Sequence, residues 1–134
     1  MAITITSLTN STGATNTFEF IGNDRLSSEW INTTMSVGGL DQRVIVKQTT
    51  LGKTLTGIPI KRALVQFQLT NPVAMTVGGN SKTVPETLTV NMTLTGPASS
   101  ASLTAAQRRD LVALLKAFLN NSVADSLWRG DVGT

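Results

Sequence analysis

Strict two-residue alternation of polar and apolar side chains governs most of this chain, and it yields to helical spacing only near the end. From Thr87 to Thr95 it is unbroken: Leu88, Val90, Met92 and Leu94 fall on one side of a strand, and Thr87, Thr89, Asn91, Thr93 and Thr95 on the other. The same period predicts an amino-terminal hairpin, with Ile3, Ile5 and Leu8 alternating before the turn Asn10-Ser11-Thr12-Gly13 and the strand Thr17 to Ile21 after it. Gly22-Asn23-Asp24 reads as a further turn, followed by a third strand from Glu29 to Met35 that stops at Gly38-Gly39. A fourth strand covers Arg43 to Thr49, and a polar turn is expected around Gly52-Lys53-Thr54. A fifth covers Lys61 to Leu69 and is predicted to end at Asn71-Pro72, because proline cannot donate to a ladder. A short strand from Val73 to Val77 then leads through Gly78-Gly79-Asn80-Ser81-Lys82 into the strand Thr87 to Thr95.

Each long strand carries one dry and one wet face. Val44 and Val46, Ala63, Val65, Phe67 and Leu69, and the four apolar residues between Leu88 and Leu94 form the dry side. Arg43, Lys47, Arg62, Gln66, Gln68, Thr89 and Asn91 form the wet side, with Ile45 and Leu64 as apolar exceptions. An antiparallel sheet can leave one face in water, but long Gln, Arg and Lys side chains beside Thr and Asn also suit a polyanion. Trp30 reads as packing rather than as a base-stacking platform.

From Thr104 to Leu119 the period becomes helical. Leu111, Leu114, Leu115, Phe118 and Leu119 share a stripe, while Arg108, Arg109, Asp110 and Lys116 lie largely off it. Thr104 and Gln107 fit a capping box, and Gly96-Pro97-Ala98-Ser99-Ser100 links sheet to helix. A second helix is expected from about Val123 to Trp128, with Ser122 as its cap and Gly130 as a left-handed exit. The order of elements is α+β: hairpin over residues 1–22, antiparallel sheet over 26–95, helices over 104–129, all in a single domain of 134 residues. A helix on the order of 24 Å long crosses several strands but cannot cover a broad sheet, so a symmetric homodimer is expected to complete the cover.

The chain contains no cysteine and no histidine, which removes disulfides, thiolate metal ligation and the usual general base. The eight acidic residues are scattered, and Gly52-Lys53-Thr54 lacks the earlier glycine of a phosphate loop. No catalytic, metal or cofactor site is therefore expected. Met1 to Thr6 has neither a basic leader nor a continuous apolar run, and no stretch reads as membrane-spanning. Eleven basic against eight acidic residues give a net charge of +3, too little for one copy to hold nucleic acid tightly but enough for many copies to sum into a strong field.

Several short motifs, taken with the order of elements, resemble the coat proteins of the single-stranded RNA bacteriophages, the levivirus group. Glu29-Trp30-Ile31 on the third strand, Lys47-Gln48-Thr49-Thr50, Thr76-Val77-Gly78-Gly79, and Asn91-Met92 with Leu94 carry the resemblance. It implies an interlocked homodimer with a ten-stranded sheet, five strands from each copy, and helices outward. It also implies an icosahedral shell enclosing the RNA genome, assembly in the host bacterial cytoplasm, and a maturation protein as a further partner.

By the same resemblance Leu111, Leu114, Leu115, Phe118, Leu119, Val90 and Met92 would form the dimer core, and Gly78, Gly79 and Pro85 a loop between dimers. Asn91 matches an asparagine that contacts an operator hairpin in such proteins, and Lys47 a basic residue on the same surface. Arg43 and Ile45 replace small hydroxyl residues of an adenine pocket, Gln66 replaces a lysine, and Thr89 replaces a tyrosine that stacks on a base. That stacking is worth about 1 to 3 kcal/mol, and threonine cannot supply it. Packaging through Arg43, Lys47 and Arg62 is thus the leading expectation. A dimeric repressor that binds an RNA hairpin is the alternative, and an enzyme the weakest reading.

Overall fold

The computed structural model describes residues 4–23, 27–34, 41–99 and 103–130. Ile3, the turn residue Asp24, the strand end at Met35 and the break at Gly38-Gly39 lie outside them. The chain divides into two compact units, Met1–Ala98 and Ser99–Thr134.

The first unit is a six-stranded antiparallel meander: β1 (Ser7–Thr9), β2 (Thr15–Asn23), β3 (Ser27–Asn32), β4 (Asp41–Lys53), β5 (Pro59–Val77) and β6 (Asn80–Pro97), each strand beside the next in the chain. The hairpin β1–β2 forms at the expected turn, where the Asn10 side chain accepts from the backbone N–H groups of Thr12 and Ala14. Its second strand continues into the sheet: Gly22 is not in a turn but pairs with Glu29, after a bulge between Phe20 and Gly22. The turn expected at Gly52 likewise falls later. β4 passes a bulge between Thr50 and Gly52 and runs to Lys53, and the chain reverses where Thr54 and Ile58 close the loop.

The largest departure is in β5, which does not end at Pro72. It continues to Val77 and merges with the short strand expected there, so β5 and β6 form one long ribbon with Gly78-Gly79 at its tip. Pairing alternates along such a ribbon, and a two-residue turn makes Val77–Asn80 a hydrogen-bonded pair. Counting back, Pro72 and Pro85 face each other in a non-hydrogen-bonded pair, where both ring nitrogens point away from the partner strand and no ladder bond is lost. The last described pair of β5 with β4 is Asp41–Thr70. This fusion, and the entry of β2 into the sheet, account for six strands in one sheet where a hairpin plus five were expected.

Register confirms the two faces. Trp30, Val44, Phe67 and Val90 lie in one row and Val46, Val65 and Met92 in the next, all on the dry side. Phe18, Trp30, Val44 and Val46 are the buried core, with Trp30 at 3% exposure and Val44 at 0%; Ile5, Val65 and Phe67 pack against it. Trp30 also meets Phe20 edge to face at 5.7 Å, so it is a packing residue. Among the described residues one polar side chain, Asn32, is equally buried, and three hydrogen bonds offset its loss of water. Its Nδ2 donates to Asn16 Oδ1 (3.1 Å) and Gln42 Oε1 (2.7 Å), and its Oδ1 accepts from the Thr34 N–H (2.9 Å).

The second unit holds α1 (Ala105–Phe118) and α2 (Asn121–Arg129). The capping box at Thr104 and Gln107 is formed in both directions. The cap of α2 is Asn120, two residues before the expected Ser122: its side chain accepts from the Val123 N–H at 3.0 Å. Gly130 provides the left-handed exit at φ 77°. No helix among the described residues is long and apolar enough to cross a membrane.

Candidate nucleic-acid interface

Because directly opposed residues share a face, the strand register places all seven wet-face residues on one surface. One row reads Glu19–Ile31–Arg43–Gln68–Thr89. The next reads Glu29–Ile45–Gln66–Asn91, the third Ser27–Lys47–Leu64–Thr93, and the fourth Thr49–Arg62–Thr95. Lys47, Arg62 and Asn91 are exposed, while Arg43, Gln66, Gln68 and Thr89 are half-buried. The strand that carries Asn91 between Thr89 and Thr93 lies at the sheet edge, so its polar face is open on one side.

The four rows are not electrically uniform. Arg43 is engaged by two carboxylates: its Nη1 donates to Glu29 Oε1 at 2.8 Å, its Nε to Asp41 Oδ2 at 2.9 Å, and its Nη2 lies 2.9 Å from Asp41 Oδ2. The hydrogen bond to Asp41, then that to Glu29, raises the guanidinium pKa still further above its ordinary range. Lys47 and Arg62 have no ion-pair partner among the described residues. The surface therefore runs from an acidic end, with Glu19, Glu29 and Asp41 around Arg43, to a basic end at Lys47 and Arg62.

Pattern reading missed the carboxylates that hold Arg43. Asp41 could have been found, since residues two apart on a strand share a face. Glu29 becomes visible only with the β3–β4 register.

The residues expected to bury a dimer core lie on other surfaces. Leu111, Leu114, Leu115, Phe118 and Leu119 are all exposed in the single chain, with Leu111 at 69% and Phe118 at 61%. Val90 is exposed and Met92 half-buried on the dry side of β6, between exposed Leu88 and Leu94. Gly78 and Gly79 form the tip of the β5–β6 ribbon, and Pro85 sits opposite Pro72 along it.

No family model and no curated protein sequence matches the chain. Solved structures do. The chain matches the virus-like particle of Beihai levi-like virus 21 with a TM-score of 0.63 at 19% identity, covering 98% of each chain. The virus-like particle of bacteriophage AVE019 matches with a TM-score of 0.55 at 15% identity over 100% of this chain and 99% of that one. The bacteriophage GA protein capsid matches at 0.50 and 13%, over 96% of each. At such identities the likeness is one of fold, and it spans the whole chain: a curled antiparallel sheet followed by two helices, the levivirus coat fold.

Proposed function

We propose that this chain is a structural capsid protein, one coat-protein domain over residues 1–134, which pairs into homodimers and closes into an icosahedral shell around single-stranded RNA. The observation that carries the proposal is the division of surfaces within a coat-protein fold matched end to end. The wet face would line the interior, with Lys47 and Arg62 toward phosphates and Gln66, Gln68, Thr89 and Asn91 toward sugars and bases. The exposed apolar stripes of α1 and β6 would be covered by a second copy, since contiguous apolar surface of this kind is normally closed by association.

The β6 edge supports the dimer. Among the described residues β6 has one neighbour, and the residues in its non-hydrogen-bonded pairs with β5, including Thr87, Thr89, Asn91, Thr93 and Thr95, turn their backbone groups outward. Joining two such edges would give one continuous sheet across the dimer. The Gly78-Gly79 tip and Pro85 would then reach neighbouring dimers. Assembly would take place in the host bacterial cytoplasm and end in the virion, with a maturation protein as a further partner, and the role is structural rather than catalytic.

Expression of the protein alone in bacteria, followed by electron microscopy and nuclease treatment, tests this reading. Closed particles that protect RNA are the expected result. Soluble chains that form no particles across salt concentration and added RNA would overturn it.

A further inference from the structure

Arg43 looks at first like the strongest cation on the wet face, yet two carboxylates already hold its guanidinium. Its Nε and Nη2 meet Asp41 on the same strand, and its Nη1 meets Glu29 on β3, so one side chain spans two strands. Glu29 and Asp41 together carry more charge than Arg43 neutralises, and Glu19 lies in the same row. A phosphate approaching the remaining N–H groups of Arg43 would face these carboxylates at close range. Lys47, one row from Glu29, and Arg62, two rows from it, form no ion pair with a carboxylate among the described residues.

Distance separates Arg62 from the acidic end. Arg62 lies three rows from Arg43, roughly 20 Å along the strands, well beyond the Debye length of about 8 Å at physiological salt. The carboxylates therefore screen little of the Arg62 field.

We infer that Arg43, held on β4 by Asp41, is a positioning residue that ties β4 to β3 through Glu29, and that phosphate contacts on this face are confined to the Lys47–Arg62 end. The inference rests on the proposed RNA-facing role of the surface. Its structural half, the tie between strands, stands independently of RNA.

The test measures binding of a fluorescent oligouridylate to folded protein over a range of salt, together with the melting temperature of each variant. Each phosphate contact contributes about 0.7 to the log–log salt slope for a single strand. Arg43→Gln should leave that slope unchanged while lowering the melting temperature by a few degrees. Lys47→Gln with Arg62→Gln should lower the slope by about 1.4 and leave the melting temperature near that of the unchanged protein. Glu29→Gln with Asp41→Asn should release Arg43 to the ligand, tightening binding and steepening the slope by about 0.7. A slope that falls with Arg43→Gln and does not rise when the carboxylates are neutralised would overturn the inference. So would an unchanged melting temperature for Arg43→Gln. If the unchanged protein fails to bind the oligomer, the RNA-facing role fails, and the melting temperatures still decide whether Arg43 is a tie.

Discussion

Pro72 and Pro85 stand directly opposite each other across the β5–β6 ribbon, and neither interrupts it. Both occupy a pair whose N–H groups would point outward, so each removes a donor from an outer edge rather than from the ladder. The ribbon is thereby kept from adding a strand along this stretch. Below it β6 keeps an edge with its donors intact.

The tip of that ribbon gives the first prediction. Gly78 and Gly79 both have positive φ, 59° and 82°, and a Cβ at either would meet nothing within 4 Å. Any cost of substitution is then conformational. Gly79→Val should destabilise the chain by about 1–2 kcal/mol, and Gly79→Asn by clearly less, in chemical denaturation. Equal losses would contradict this turn geometry.

Asn32 gives the second. Its amide nitrogen donates to two oxygens, Asn16 Oδ1 and Gln42 Oε1. Asn32→Asp would lose both donated hydrogen bonds and bury a carboxylate in their place. A loss of about 1–3 kcal/mol is expected at neutral pH by denaturant titration, whereas a neutral outcome would show that the network does not hold the strands.

The second helix offers a direct comparison of two candidate caps. Asn120→Ala should cost about 1 kcal/mol of stability, while Ser122→Ala should change it little, because Asn120 holds the Val123 N–H. The reverse order, read from thermal melts, would restore Ser122 as the cap.

Assembly depends, on this account, on the apolar stripe of α1. Phe118→Asp would put a charge where a partner copy is proposed to pack. Size-exclusion chromatography with light scattering should show neither dimers nor particles. Particles at the yield of the unchanged protein would place the interface elsewhere.

Much of the architecture was legible because alternation is a local signal. Leu88 to Leu94 and Ala63 to Leu69 sit on the dry face as their spacing required, and the Thr104–Gln107 box formed as its spacing required. Errors gathered where a residue's effect depends on its neighbours. Proline at position 72 reads as a strand end until the side on which its missing N–H falls is known. Gly22 and Gly52 read as turns but sit at bulges, which interrupt a ladder without reversing the chain. Asn120 and Ser122 are both good cap residues, and only the backbone at the start of α2 chooses between them. On the candidate site the seven residues shared a face as alternation demanded, but the tie among Arg43, Glu29 and Asp41 needed strand register.

A reconstruction of particles from the expressed protein by electron cryomicroscopy, at a resolution that shows side chains, tests the central claim most directly. The account predicts a closed shell of dimers with Lys47, Arg62 and Asn91 facing an interior filled with RNA density and the helices on the outer surface. A shell with that face outward, or a protein that yields no shell at all, would contradict it.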